Sequence, residues 1–328
     1  MAITNLADIQ FLSSTFNDVK DAAFTTSLEF SNGLIQDAGN LITDLTGQTA
    51  TLPKYNFTDA TGSKINPGSP IVTSKLTQFA DKAVWVDRYF AWSFSQVLRM
   101  IGNQDPTIAV GKMIGNTIGK SVQASAVKMS TGAFATALAG THVYDDALNK
   151  ININGITIAK QKIGDANKNL NTIVMSSAVE TVALQAGILN YDNLNKDTYR
   201  SGEIGRIVGL SPFVSDECAY VGDAHYSIIG RPGSIVYKTR PYQALSSTNG
   251  NLMMLADGSQ IELVRIGTDQ AGEDQIVLRT SYLVHIPGVA WNSTANPEDT
   301  DLATGANWTK VQADNKDIQI VQYISSIV

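Results

Sequence analysis

From Asp105-Pro106 to about Gly140 the chain offers one long helical run, and after Pro106 no proline occurs until Pro212. Asp105 suits an N-cap and Pro106 the first helical turn. Val110, Ile114, Ile118 and Val122 recur every fourth residue, and Val127, Met129 and Phe134 continue the apolar side. A helix over about 106–139 is roughly 50 Å long at about 1.5 Å per residue. Lys112, Lys120 and Lys128 keep a second side wet, and Gly111, Gly115 and Gly119 form a third row. Each glycine costs about 1 kcal/mol relative to alanine in a helix interior, so close approach by another backbone is the expected return. The row resembles a transmembrane packing pattern, but the lysines and serines interrupt any spanning run. The expectation is a girder in a soluble protein.

The rest of the composition allows one large domain or two moderate ones. The chain has 328 residues, 43% of them hydrophobic, enough for a packed core. With 24 basic and 30 acidic residues the net charge is −6. That balance argues against a main surface built to grip nucleic acid. Cys218 is the single cysteine, so no intramolecular disulfide is available. The start, Met1-Ala-Ile-Thr-Asn-Leu-Ala-Asp, lacks the basic and apolar blocks of a signal peptide, and no run of apolar residues is long enough to span a bilayer. A cytoplasmic protein is expected, with no membrane partner.

Along the chain, residues 1–48 are polar and poorly periodic, with short helices possible at Asp18–Leu28 and Leu41–Leu45. Such a segment must lie against something else. Pro53, Gly62, Pro67, Gly68 and Pro70 favour extended chain and turns between Thr51 and Ser74. Ile71–Phe79 and Ala83–Tyr89 alternate like two strands joined around Ala80-Asp81-Lys82. Residues 50–90 thus read as a two-stranded arm, marginal in water by itself and in need of a partner. Trp92, Phe94, Val97, Leu98 and Ile101 predict a short amphipathic helix.

Beyond Gly140, Ile151–Ile158 carries an Asn-Gly pair between isoleucines, which predicts a hairpin. Thr172–Met175 reads as a buried strand and Ser177–Leu189 as a helix. Residues 205–216 give two extended pieces kinked at Gly209 and Pro212. Tyr226–Ile229 and Ser234–Lys238 read as strands, and Leu252–Leu255 and Gln260–Ile266 as a hairpin. Gln275–Ile286 and Asp317–Ile327 are the last two strands. No fixed-period repeat occurs, so solenoids and propellers are excluded. The fold class is α+β.

No catalytic constellation emerges, and no cofactor or metal site is expected. Gly115-Asn-Thr-Ile-Gly119-Lys120-Ser121 has three residues between its glycines where a phosphate loop needs four, and it lies inside the predicted helix. His142, His225 and His285 are far apart, and Cys218 stands alone. No nucleophile elbow surrounds any serine. Glu273-Asp274 and Glu298-Asp299 read as solvated turns. Trp85, Trp92, Trp291 and Trp308 lack basic interleaving, so they read as core or subunit-contact residues, not stacking platforms. Asn56-Phe-Thr58 and Asn307-Trp-Thr309 match glycosylation acceptors only formally.

An arm that cannot stand alone and an absence of chemistry point to a protein that assembles. The order of segments resembles the major capsid proteins of tailed bacteriophages, of the HK97-like fold. Ser31-Asn32-Gly33-Leu34-Ile35 followed by Leu52-Pro53 is similar to the family's passage from N-terminal arm into extended loop. Asp81–Ser93, ending Ala91-Trp92-Ser93, is similar to the strand returning from that loop. Gln104-Asp105-Pro106 opens a helix in the place of the spine helix. Gly205–Asp216 with Arg231-Pro232-Gly233-Ser234-Ile235 resembles the axial strand region, and Ala303–Trp308 with a closing strand resembles the tail of such subunits.

The resemblance implies an N-terminal arm at 1–48 and an extended β-hairpin loop at 49–90. It implies a peripheral domain at 91–165 and 268–328 holding a spine helix at about 106–139, and an axial domain at 166–267. It implies a structural, non-enzymatic subunit that self-assembles through pentamers and hexamers into an icosahedral shell around double-stranded DNA. Pro53, Lys54, Lys64, Lys75, Arg88, Trp92 and Arg231 are the subunit-interface residues it suggests. The loop lysines are possible donors to a cross-link for which no partner can be picked. Its implied partners are copies of the chain, a separate scaffolding protein, a portal, decoration proteins and non-specifically contacted DNA. The virion is the implied location, with the host cytoplasm during assembly. The competing readings are a non-viral compartment of the same fold, another phage structural protein such as a tail tube or decoration protein, and an unrecognised enzyme.

Overall fold

The computed structural model of the protein describes residues 34–39, 42, 45, 47–56, 77–95, 106–189, 206–242, 252–255, 257–266 and 273–328. The expectations for Asp18–Leu28, most of Leu41–Leu45, the Asp105 cap, Val97–Ile101, Lys64 and Lys75 lie outside those residues.

The first strands are β1 (Ile35–Asp37), β2 (Thr49–Asn56) and β3 (Thr77–Ser95). Helices α1 (Pro106–Ala135) and α2 (Ala139–His142) lead into β4 (Val143–Lys150) and α3 (Ile153–Gln161). Then come β5 (Thr172–Met175), α4 (Ser177–Gln185), β6 (Ser211–Val214), β7 (Tyr220–Val221), β8 (Ala224–Gly230) and β9 (Ile235–Arg240). The chain closes with β10 (Leu252–Met254), β11 (Gln260–Ile266), β12 (Glu273–His285), β13 (Val289–Trp291), α5 (Asp299–Ala303), β14 (Trp308–Lys310) and β15 (Ile320–Ser326).

Helix α1 has 30 residues, about 45 Å at about 1.5 Å each. Ile114, Ile118, Val122, Met129 and Phe134 are buried, while Lys112, Lys120 and Lys128 face solvent, as the spacing requires. Gly115 and Gly119 are buried too. A close approach occurs at Gly132, where a Cβ would stand 2.2 Å from the Leu302 carbonyl oxygen and 2.7 Å from the Trp308 indole nitrogen. That contact lets α5 and the turn after it lie flat on the helix.

The first sheet is built on the antiparallel pair β3–β12, in register from Trp85↔Leu283 to Ser95↔Glu273. The other edge of β12 is shared, with β11 beside its first half and β9 beside its last residues. Strand β10 extends the sheet from β11, and β1 from β9 in parallel. Beyond Trp85 strand β3 runs on, pairing with β2 from Val84↔Thr49 to Thr77↔Asn56. The second sheet has the order β4-β15-β8-β5-β6, with β7 also on β8. Helix α1 packs against the first sheet and against Val174, Ile228 and Ile320 of the second, within one core. A second core lies between the second sheet and helices α3 and α4. A small third one, with Leu52, Ala83, Trp85 and Leu283, closes the base of the β2–β3 hairpin. Each sheet takes strands from both sides of positions 166 and 268, so its limits do not coincide with that division.

Three local expectations are corrected. Strand β3 is continuous through Ala80-Asp81-Lys82, because Asp81 turns a fully buried carboxylate inward where the alternation suggested a turn. Trp92 and Phe94 belong to β3 and not to a helix, since Trp92 pairs with Ile276 and packs beside Phe90 at the core's edge. Ile153–Gln161 is helix α3, not a hairpin: the Asn152 carboxamide oxygen accepts from Gly155 N–H at 2.6 Å and caps it. Gly155 is needed for space rather than for a turn, as a Cβ there would lie 2.4 Å from the Tyr323 hydroxyl. The strands read at 172–175, 226–229, 234–238, 252–255, 260–266, 275–286 and 317–327 are all present within a few residues, and so is the 177–189 helix.

Candidate assembly site at the root of the hairpin

Where β3 parts from β12, buried polar groups decide how the hairpin is held. Asp81 accepts from Gly288 N–H at 2.6 Å and from His285 Nε2 at 2.9 Å, with both side chains fully buried. A buried carboxylate needs such donors, because leaving it unpaired is far costlier than burying an apolar group. Gly288, at φ +102°, adopts a conformation that favours glycine and turns its N–H toward the acid. Asp81 thereby fastens the hairpin to the turn between β12 and β13.

One strand turn along, Arg240 of β9 joins three elements. Its Nε donates to Ser281 Oγ at 2.7 Å, its Nη1 to the Gly47 carbonyl, and its Nη2 lies 3.3 Å from the Asp87 carboxylate. The guanidinium also sits 4.7 Å over the buried Trp85 ring. Arg88 reaches the opposite way, donating to Pro297 O at 2.8 Å and pairing with Asp299 at 3.1 Å. Ser125 of α1 donates to the same Asp299 oxygen at 3.3 Å. The Tyr282 hydroxyl lies between Ser121 at 2.8 Å and Ser125 at 2.9 Å, and burial raises its pKa. Strand β3 is thus tied to β9, to α5 and to the long helix.

The residues expected at subunit contacts are not gathered in one place. Pro53 and Lys54 stand in β2 opposite Ala80 and Phe79. Trp92 is half-buried beside Phe90. Arg231 lies exposed between β8 and β9, donating to Gln319 Oε1 at 3.0 Å. Arg88 has its guanidinium engaged inside its own subunit. Sequence reasoning missed Asp81, Arg240 and His285. An acid set between alternating strand residues was the available signal for Asp81; nothing local marked the other two.

Other polar groups are structural in placement. Ser176 Oγ lies 2.9 Å from His225 Nδ1, a serine–histidine contact, but both are buried and Ser176 caps α4. The acids at 298–299 serve α5: Glu298 N–H donates to the Asp301 carboxylate at 3.0 Å, and Asp299 holds Arg88. A cleft of about 410 Å³ opens beside Tyr89, Gln275, Arg279 and Asn296. Its Arg279 is neutralised by Glu262 at 2.7 Å. Among the described residues no three metal-ligating side chains come together, and no helix is long and apolar enough to cross a membrane.

Residues 58–319 match the family described as Gp13-like, major capsid protein 13-like. The major capsid protein of Bacillus phage SPP1 is 24% identical over 307 residues, covering 89% of this chain and 86% of that protein. Among solved structures, one from Mycobacterium phage Adephagia superposes with a TM-score of 0.53 at 12% identity, over 92% of this chain and 90% of that one. The capsid of a native GTA particle gives 0.53 at 11% identity, over 80% and 86%. The long helix, the β2–β3 hairpin and the two sheets are accordingly an HK97-like α+β fold. With four-fifths of its length inside the family match, the chain belongs to the Gp13-like major capsid proteins, the structural subunits that build the shell of a tailed-phage head.

Proposed function

We propose that copies of this chain form pentamers and hexamers that close into an icosahedral shell around packaged double-stranded DNA, with the β2–β3 hairpin lying across a neighbouring subunit. The observation that carries this is the course of β3, whose second half pairs with β12 in the first sheet while its first half, among the described residues, continues past β12 as a ribbon with β2. A two-stranded ribbon is marginal in water, and this one is locked at its root by Asp81, Arg240 and a small core of its own. Rigid anchoring of such a ribbon suits a segment covered by another copy.

In this reading residues 1–48 form the N-terminal arm, whose strand β1 stays in the subunit's own first sheet while the part before it crosses beneath a neighbour, and 49–90 form the extended loop. Residues 91–165 and 268–328 form the peripheral part and 166–267 the axial part, with the first sheet joining the two. Pro53, Lys54, Lys64, Lys75, Trp92 and Arg231 face other copies, while Arg88 works inside the subunit to position β3. A scaffolding protein, a portal and decoration proteins complete the particle. DNA is contacted without sequence preference, consistent with a net charge of −6. Assembly takes place in the host cytoplasm and the product is part of the virion.

Electron microscopy of the expressed protein, alone and co-expressed with a phage scaffolding protein, tests this directly. Closed shells with five-fold and six-fold capsomers are expected. Tubes, or a compact monomer under both conditions, overturn the reading.

A further inference from the structure

Two hydroxyls inside the second sheet have no hydrogen-bond partner among the described residues. They belong to Ser227 of β8 and Ser325 of β15, both 0% exposed. The two strands pair without a break from Ile320↔Gly230 to Ser326↔Ala224, so the main-chain groups between them are spent on the ladder. Ser227 stands opposite Tyr323, and Ser325 opposite His225. Residues opposite one another share a face, as do residues two apart, so the serines are diagonal neighbours on one face. It is the face from which Ile229, Val321 and Tyr323 enter the core under α3 and α4. Diagonal neighbours are about 7–8 Å apart. Two short hydroxyls do not meet across that distance, but one small molecule touches both.

The surroundings limit what that molecule is. Side chains fully buried within the subunit are out of reach of a partner chain, so the ligand is small. Asp146 stands opposite Ser325 on the β4 side and accepts from the Asn149 carboxamide at 2.7 Å. Among the described residues no three metal-ligating side chains come together, whereas two hydroxyls, each able to donate and accept, suit a neutral polar ligand. His225 supplies a third group. Ser176 Oγ accepts from Val179 N–H at 3.5 Å and so gives its own proton to His225 Nδ1 at 2.9 Å. The neutral ring then carries its proton on Nε2, a further donor on the residue directly opposite Ser325. A buried water is held by two to four such otherwise unsatisfied groups.

We propose that Ser227 and Ser325 hold one buried water molecule in the second sheet, with His225 Nε2–H as its third partner. The water joins β8 to β15 by their side chains and, through His225 and Ser176, joins both strands to the cap of α4. Without it two buried hydroxyls stay unpaired in the core, which is costly. The site lies inside one subunit, so the inference stands or falls independently of the shell reading.

The test combines a density map of the full chain, at a resolution that shows ordered water, with urea unfolding of the unassembled subunit. A peak within hydrogen-bond distance of both serine oxygens is expected. In Ser227→Ala, and separately in Ser325→Ala, the unfolding equilibrium constant is expected to rise about fivefold, the contribution of roughly one net hydrogen bond. In the double variant it is expected to rise by less than the product of the two effects, because loss of the water already orphans the second hydroxyl. A map with no peak there, hydroxyls turned onto main-chain carbonyls, or a cation bound to the Asp146 carboxylate overturns the site. Either single variant at least as stable as wild type also overturns it, since alanine in place of a bare hydroxyl relieves a cost. So does a double variant in which the two effects multiply.

Discussion

At the scale of single residues, buried polar side chains carry more of the specificity than their number suggests. His142 is fully buried, and its Nε2 donates to both the Asn315 and Ile318 carbonyls at 3.1 Å. The Thr141 hydroxyl donates to Nδ1 at 2.7 Å. Burial lowers the pKa below the ordinary 6.5, outweighing the two carbonyls, which favour the charged ring. The unfolded chain therefore binds a proton more readily than the folded one as pH falls below about 6.5, and stability is lost in that direction. Urea unfolding at pH 7.5 and 5.0 should show a lower midpoint at the acid pH. In His142→Gln that part of the acid sensitivity should disappear, though the variant starts less stable. An unchanged slope between the two pH values would show that His142 does not titrate with unfolding.

At the scale of elements, the hairpin root decides whether β3 is a stiff lever or a loose ribbon. Replacing Asp81 by Asn keeps the size but removes the charge and part of the capacity to accept from Gly288 and His285. Losing one partner of a buried hydrogen bond costs about 1–3 kcal/mol. Asp81→Asn is expected to lose that much in equilibrium unfolding, and to raise hydrogen exchange at residues 77–84 while α1 stays protected. Equal deprotection of hairpin and helix would mean that the residue supports the whole body and not the root. The long helix shows how far local pattern reaches: its proline boundary, four-residue apolar spacing and lysine face are all present in the chain, and all reappear in α1. The Ile151–Ile158 segment shows where it stops. The same isoleucines and Asn-Gly pair suit a hairpin or a capped helix, and contact with Tyr323, far along the chain, selected the helix.

At the scale of the whole molecule, the described residues form a body with cores of its own, in which the β2–β3 hairpin is rooted. Deleting residues 57–76 and joining Asn56 to Thr77 by a short turn leaves β2, β3 and the small core at their base in place. The shortened protein is expected to remain folded, with an unfolding midpoint near that of the parent, and to fail to close shells by electron microscopy. Normal shells from it would remove residues 57–76 from any part in assembly.

What the chain determined alone follows from short-range physics. Helix period, strand alternation and turn residues are set by neighbours a few positions apart, and the order of these segments already resembled the capsid family. Only the tertiary structure decided that β9 and β8 part into different sheets, and that Asp81 meets His285 and Gly288. The same holds for Arg240, which bridges Gly47, β3 and β12, and for Leu148 and Tyr220, left bare on opposite flanks of one sheet end. Those facts depend on residues brought together from positions scores or hundreds apart, and a buried charge or an uncovered leucine has no meaning until the fold supplies its surroundings.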